Sequence, residues 1–342
     1  MSKSFFHLPT DEKNALITRT ADKLDFSELI IEKDLWVCWL LEKIFSLPIQ
    51  MAFKGGTSLS KVFNLINRFS EDCDITIDYR YFNQTIDLGN ISRSQLKKIS
   101  EELKRQLQVY VSEVVLPYVQ DYVTRELPQD EFELQLSDDG EQLRFYYPSL
   151  ANGQAGYLRD HILIEFGIRN CTEPCAKHQI TPYLEKGLNS DIDLPKPIIN
   201  TLSPLRTFWE KVTLIHVECN RNRFVKSPER LSRHWYDLYM LNNSWVATQA
   251  LVRNDILSSV IEYKKAFFNA SYANYDDCLT GHCKLIPSTE NLTNLKSDFL
   301  MMIDAGMFYQ EPPLFDEMIV SLKKLESDIN LNQLHAGVNV DD

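Results

Sequence analysis

Apolar positions set the first expectations. Leu35, Trp36, Trp39, Leu40 and Ile44 recur at helical spacing, so the first fifty residues read as helical. Residues 50–53 form a short apolar stretch with strand character. Leu59, Val62, Phe63 and Ile66 follow the i, i+3, i+4, i+7 pattern, which predicts a helix over 58–67. Strict alternation over 72–78 then predicts a half-buried strand. A polar but periodic stretch, 93–126, reads as helix. Phe132–Leu136 and Leu143–Tyr147 flank Ser137-Asp138-Asp139-Gly140, the signature of a hairpin tip. Residues 161–168 (HILIEFGI) form a further apolar strand. Pro195, Pro197 and Pro204 mark the stretch Leu194–Arg206 as the best domain boundary. Beyond it the pattern is helical throughout, ending in LFDEMIVSLKKLESDI. The expected fold is α+β: a mixed core of strands and helices over 1–195, followed by a helical domain over 196–342.

Composition narrows the class. With 44% hydrophobic and 25% charged residues, the chain is globular rather than disordered. Eleven glycines and 14 prolines exclude collagen-like or linker-like chains. No apolar run approaches the roughly 20 residues of a membrane helix, so no membrane partner is expected. The start, MSKSFFHLPTDEKN, has no signal-peptide pattern. Seven scattered cysteines read as reduced thiols, which fits a cytoplasmic protein. A net charge of −12 argues against broad coating of nucleic acid and leaves room for a local basic groove.

The chemistry concentrates in Lys54–Asp78, KGGTSLSKVFNLINRFSEDCDITID. A short strand runs into Gly55-Gly56-Thr57-Ser58 and a helix. Two glycines let the backbone approach an anion, and free N–H groups at a helix start favour phosphate. Thr57 or Ser58 can cap that helix or bond phosphate oxygens. No Gly-Lys-Ser/Thr follows, so this is not the Walker loop. A tight strand-to-helix corner is the plainer alternative. In the alternating strand, Asp72, Asp74 and Asp78 share one face, opposite Cys73, Ile75 and Ile77. Carboxylates at i and i+2 repel unless a cation lies between them, and hard oxygen donors suit Mg²⁺ with substrate phosphates. A solvated acidic face on an edge strand is the alternative.

This combination resembles the nucleotidyltransferase superfamily that includes DNA polymerase β, although the gap from Gly56 to Asp72 is longer than usual there. The closer resemblance is to the AbiEii/AbiGii-type nucleotidyltransferase toxins of bacterial toxin–antitoxin and phage-defence systems. It rests on an ordered set spanning nearly the whole chain. Glu32-Lys33-Asp34 comes first, followed by Gly55-Gly56-Thr57-Ser58-Leu59 and Arg68-Phe69-Ser70-Glu71-Asp72-Cys73-Asp74. Arg206-Thr207-Phe208-Trp209-Glu210-Lys211, Arg233-His234-Trp235-Tyr236-Asp237-Leu238, and the closing Leu325-Glu326 and Ile329-Asn330 complete it. The resemblance implies a polymerase β-like nucleotidyltransferase core and a C-terminal helical domain that contributes to the active site. It implies Mg²⁺ or Mn²⁺ on Asp72 and Asp74, and a nucleoside triphosphate whose phosphates meet Gly55, Gly56, Thr57, Ser58 and Ser70. Lys211 would grip the triphosphate, and Asp237 would orient the catalytic helix or its substrate. A third metal-binding carboxylate falls on Glu165, where many superfamily members carry aspartate. Transfer of a nucleoside monophosphate to tRNA and neutralisation by a cognate antitoxin complete the expectation.

Plainer readings stand beside these. Lys211 lies off the centre of the stripe Leu205, Phe208, Trp209, Val212 and Ile215, as a solvated lysine would. Arg233 and Asp237 are four apart and could pair along a helix. Glu165, amid apolar neighbours, could pair with Arg159 or Arg169. Cys171, Cys175 and His178 lack a second zinc-ligand pair, and Gly281-His282-Cys283 is distant in sequence, so zinc is set aside. The basic window Arg221–Arg233, which includes Phe224, could guide an RNA end. Overall acidity favours a protein or small-molecule acceptor instead, and a nucleotide-binding module without turnover is a third reading.

Overall fold

The computed structural model describes residues 3–84, 86, 91–127, 132–151, 159–170, 172–188, 192–221 and 230–338. The chain divides into two compact units. One comprises Met1–Val62, Phe69–Ile86 and Lys98–Leu202; the other comprises Phe63–Arg68, Asp87–Lys97 and Ser203–Asp342.

The first unit is built on a mixed seven-stranded sheet. Its strands are β2 (Met51–Lys54), β3 (Asp72–Ile77), β4 (Glu133–Leu136), β5 (Gln142–Tyr146), β6 (Ile162–Gly167), β7 (Cys175–Gln179) and β9 (Ile198–Leu202), in the order β4-β5-β6-β3-β2-β9-β7. β3 runs antiparallel to β2 and parallel to β6. The remaining strands, β1 (Lys3–Ser4) and β8 (Ile192–Asp193), form a small parallel pair. Helices α1 (Thr10–Leu24) and α2 (Glu28–Ile44) precede the sheet. α2 is buried along nearly its whole length, which explains its continuous apolar run. Trp36 and Trp39 pack against Phe6 and Phe145, and Trp36 also meets Phe132 and Tyr147.

Several expected elements hold. The hairpin β4–β5 turns through Ser137–Gly140, with Gly140 at φ +65°. The polar stretch from 93 is helical as α4 (Arg93–Tyr110) and α5 (Leu116–Glu126), joined by a π-helical segment, Val111–Val115. Pro117 accounts for that segment. Its ring has no N–H to offer residue 113 and would crowd that carbonyl, so the backbone widens just before it.

Two expected boundaries move. The helix forecast over 58–67 is instead α3, Gly55–Lys61. It begins at once after β2, and Asn64, at φ +52°, lies in the left-handed region that ends helices and that asparagine tolerates. Leu59 and Ile66 are still buried, so the apolar stripe marks the core without marking one helix. β3 stops at Ile77. Asp78 therefore leaves the acidic face: it accepts from the Arg80 backbone N–H and from Thr172 Oγ1, capping the turn at Tyr79–Tyr81.

The described elements of the second unit that follow β9 are helical. They are α6 (Pro204–Asn220), α7 (Ser232–Asn242), α8 (Trp245–Ala250), α9 (Asn254–Phe267), α10 (Thr289–Asp304) and α11 (Phe315–Val338). α6 packs on α7, α8 and α9, and α7 packs on α10 and α11. Buried indole N–H groups find backbone acceptors: Trp209 donates to the Ala250 carbonyl and Trp235 to the Leu285 carbonyl. Asp298 accepts from the backbone N–H of Arg230 and Ser232 and so fixes the start of α7. The short segment Phe63–Arg68 belongs to this unit through the Arg68–Phe308 bridge and the Tyr309 N–H bond to the Asn67 carbonyl.

Candidate active site

In the sheet unit, register assembles the acidic face. Asp74 stands opposite Glu165 across β3–β6, and Asp72 lies two residues earlier on the same face. Lys54 stands opposite Asp74 from the other side, across β2–β3. Three carboxylates and a lysine therefore share one surface of adjacent central strands. Asp72 is buried, whereas Asp74 and Glu165 are half-buried.

Gly55 makes that surface possible. It sits at φ +75°, and a Cβ placed on it would lie 2.0 Å from Asp74 Oδ2. The anion that approaches the glycine backbone is thus the protein's own carboxylate. Gly56 follows in the first turn of α3. Thr57 and Ser58, expected as candidate caps, lie inside the helix, whose N-cap is Lys54 without a side-chain cap bond. Ser58 Oγ donates to the Gly55 carbonyl at 2.9 Å. Thr57 Oγ1 lies 2.9 Å from Ser70 Oγ and also reaches the carbonyls of Ser70 and Asp72. This buried hydroxyl ties the start of α3 to the entry of β3.

Arg159, a candidate partner of Glu165 by sequence, has its Nη1 2.5 Å from Asp72 Oδ1. Glu165 Oε1 accepts instead from Gln142 Nε2 at 2.8 Å, across β5–β6. Part of the repulsion expected between Asp72 and Asp74 is therefore offset by a guanidinium. The only sequence signal for this was a basic residue shortly before an apolar strand.

The motif Glu32-Lys33-Asp34 proves to be three buried charges with three destinations. Glu32 accepts from Ser149 Oγ and the Leu150 N–H. Lys33 Nζ lies 3.3 Å from Glu71 and donates to the His161 carbonyl, and Glu71 in turn accepts from the Arg159 N–H. Asp34 pairs with Lys61 at 2.5 Å and accepts from the Tyr183 N–H. Burial works against the Lys61 charge, but Asp34 beside it holds its pKa above the ordinary lysine value. Both residues flanking the acidic strand, Lys61 at the end of α3 and Glu71 before β3, are thereby anchored to α2.

In the helical unit, Arg68, Lys211 and Asp237 converge. Asp237, wholly buried, accepts from Arg68 Nε at 2.7 Å and Nη2 at 2.8 Å, and lies 2.7 Å from Lys211 Nζ. Lys211 is therefore buried and paired, not the solvated lysine of the plainer reading. Asp237 is held by Arg68 and Lys211, two cations distant from it in sequence. Burial alone would raise the Asp237 pKa, but the two cations override it and hold the carboxyl well below its usual range. His234, half-buried near Lys211 and Arg233, is pushed well below 6.5 by desolvation first and by those cations second. Glu326 and Asn330 of the closing motif serve a separate segment: Glu326 accepts from the Leu285 and Ile286 N–H groups, and Asn330 brackets Cys283.

Cys175 and His178, two of the three residues set aside for zinc by sequence, do not converge. Cys175 and His178 are three apart on β7, hence on opposite faces, and Cys171 lies outside the described residues. Residues 222–229 of the basic window also lie outside them.

Comparison with known proteins now identifies the chain. A sequence profile described as nucleotidyl transferase AbiEii toxin, type IV toxin–antitoxin system, matches residues 39–320. The chain belongs to this family and is a nucleotidyltransferase, with a nucleoside triphosphate as substrate and an antitoxin as the partner such a system implies. Among solved structures, MenT4, a nucleotidyltransferase toxin from Mycobacterium tuberculosis H37Rv, is similar at 15% identity and a TM-score of 0.44, over 93% of this chain and 98% of its own. No curated protein sequence matches. Among the described residues, no helix is long and apolar enough to cross a membrane.

Two outcomes follow from this geometry. Gly55→Ala forces a methyl onto Asp74 at a positive φ, and should lower stability by about 1–3 kcal/mol by denaturant unfolding. In the second unit, a group held below its unfolded pKa resists protonation, so stability falls as pH drops from the unfolded value toward the folded one. For His234 that decline starts near pH 6.5 and continues downward; for Asp237 it starts near pH 3.9. Urea unfolding between pH 7 and 5 should thus show wild type losing at most about 2 kcal/mol through His234, a loss absent in His234→Gln.

Proposed function

We propose that the protein transfers a nucleoside monophosphate from a triphosphate to an acceptor hydroxyl, with Asp72, Asp74 and Glu165 as the donors for Mg²⁺ or Mn²⁺. The observation that carries this reading is the register that sets Asp74 opposite Glu165 with Asp72 on the same face. Three hard oxygen donors on neighbouring central strands fit a divalent cation that also takes phosphate oxygens. Their fit is supported by Gly55, whose missing side chain leaves room for the Asp74 carboxylate. Bound divalent ions would supply charge neutralisation at the phosphates.

The chain's own residues do the rest. The acceptor oxygen bonds to the α-phosphorus, the bridging α–β bond breaks, and pyrophosphate leaves with the electron pair. The acceptor's proton passes to a carboxylate of the acidic face. Gly55, which lies against Asp74, and with it Gly56, Thr57, Ser58 and Ser70 form the phosphate end in this reading. The family resemblance assigns Lys211 to the triphosphate, and Asp237 is the positioning residue that holds Lys211 and Arg68. The family resemblance favours the 3′ end of tRNA as acceptor and the cytoplasm as the place of action. A protein or small-molecule acceptor is the second reading, favoured by the net charge of −12.

Asp74→Asn should abolish transfer while the protein remains folded; wild-type turnover in that variant would remove β3 from the mechanism. Incubating the protein with each labelled triphosphate and Mg²⁺, first with total RNA and then with protein extract, identifies the acceptor. Label confined to RNA 3′ ends supports the tRNA reading, and label confined to protein rejects it. Ser70→Glu should weaken nucleotide affinity at least tenfold by setting an anion beside the phosphates, and an unchanged affinity places Ser70 outside their reach.

A further inference from the structure

We propose that His216, Cys278 and Cys283 form a structural zinc site in the helical unit, with Cys219 as its fourth ligand. The three residues come from α6, from the turn Tyr275–Cys278 and from the loop beyond Gly281. All three are buried, and their donor atoms lie within 4.8 Å of one another. The Sγ atoms of Cys278 and Cys283 are 3.7 Å apart. A tetrahedral site with Zn–S bonds of about 2.3 Å has an S–S edge of about 3.8 Å, whereas a disulfide needs about 2.05 Å. The 3.7 Å spacing, bridged here by a thiol hydrogen bond, also fits two thiolates on one ion.

The surroundings match a metal-binding histidine. His216 Nε2 lies 3.0 Å from the Asn274 carbonyl and 2.9 Å from Asn220 Nδ2, so Nδ1 is the nitrogen left to a metal. Nδ1 now accepts from the Lys284 N–H at 2.9 Å, a bond that zinc would replace. Cys283 is held by Asn330 on both sides, its N–H donating to Oδ1 at 2.8 Å and its carbonyl accepting from Nδ2 at 3.0 Å. Cys219 lies three residues beyond His216 on α6, outside the cluster of donor atoms, so as fourth ligand its side chain must turn toward the ion. The two ligand pairs, His-x2-Cys on a helix and Cys-x4-Cys on a turn, are separated by 58 residues (278 minus 220), so the sequence does not show them as one motif.

Such a site would staple the 275–283 turn to the helix that carries Lys211. The same turn leads into Leu285, whose carbonyl holds Trp235 on α7, the helix that carries Asp237. The inference stands independently of the acidic face of the sheet unit.

The test is metal analysis of full-length protein purified with zinc present and then dialysed against zinc-free buffer. The expected result is about one zinc per chain, unchanged in Asp72→Asn and lost in the Cys278→Ser/Cys283→Ser double variant and in His216→Gln. Cobalt exchanged into the wild-type protein should give the visible bands and sulfur charge transfer of tetrahedral thiolate coordination, a readout that needs no variant to fold. Cys219→Ser should weaken zinc affinity at least tenfold; an unchanged affinity removes Cys219 from the site. Wild-type protein that retains no zinc and no cobalt, or that closes Cys278–Cys283 into a disulfide on mild oxidation in the presence of zinc, would overturn the proposal.

Discussion

The close approach of the Asp74 carboxylate to the Gly55 backbone is the constraint on which the sheet unit's acidic face depends. A side chain at residue 55 would occupy the space that Asp74 fills. With glycine there, β2 can turn at once into α3, and β3 can lie beside it with its carboxylates inward along the turn. β6 then brings Glu165 opposite Asp74 in parallel register. Repulsion among these groups is tempered by cations and donors that arrive from elsewhere: Arg159 on Asp72, Gln142 on Glu165 and Lys54 across from Asp74. An acidic surface so balanced still leaves oxygen donors on one face of the sheet.

Buried charge is the second theme. Leaving an ion without its partner in a protein interior costs several kcal/mol, so each buried ion here dictates where another must be. α2 carries three in succession, and each fixes a different segment: the stretch after β5 at Ser149–Leu150, the entry to β3 through Glu71, and the exit of α3 through Lys61. In the helical unit Asp237 does the same for Arg68 and Lys211. A charge with two cationic partners is conditioned to stay ionised, which in turn keeps both cations in fixed positions. Polar clusters of this kind specify one arrangement more sharply than apolar packing does, because a misplaced partner is penalised in full.

Much of this was legible in the chain. Alternation in 72–78 predicted the acidic strand, and the Ser-Asp-Asp-Gly turn predicted the hairpin, because both depend on contacts a few residues apart. The helix after Gly56 was foreseen but drawn too long, since Val62 and Phe63 are apolar whether or not the backbone stays helical. Asp78 kept the right parity for the acidic face and still left it, captured by Arg80 and Thr172. Lys211 looked like an ordinary surface lysine by its place off the apolar stripe, and only a carboxylate 26 residues further on makes it a buried ion.

The sequence by itself determined the class of fold, the family, and the local chemistry: which strand bears the aspartates, where glycine frees the backbone, and which helices carry the later motifs. Those features are written in neighbouring residues, where periodicity and residue type suffice. Tertiary structure decided the partners. That Asp72 meets Arg159, that Lys33 meets Glu71, that Asp237 joins Arg68 to Lys211, and that His216 lies beside Cys278 and Cys283 all depend on strand register and helix packing. Electrostatic partners are chosen by distance in space, and spacing along the chain carries no record of it once the separation exceeds a turn of helix or a hairpin.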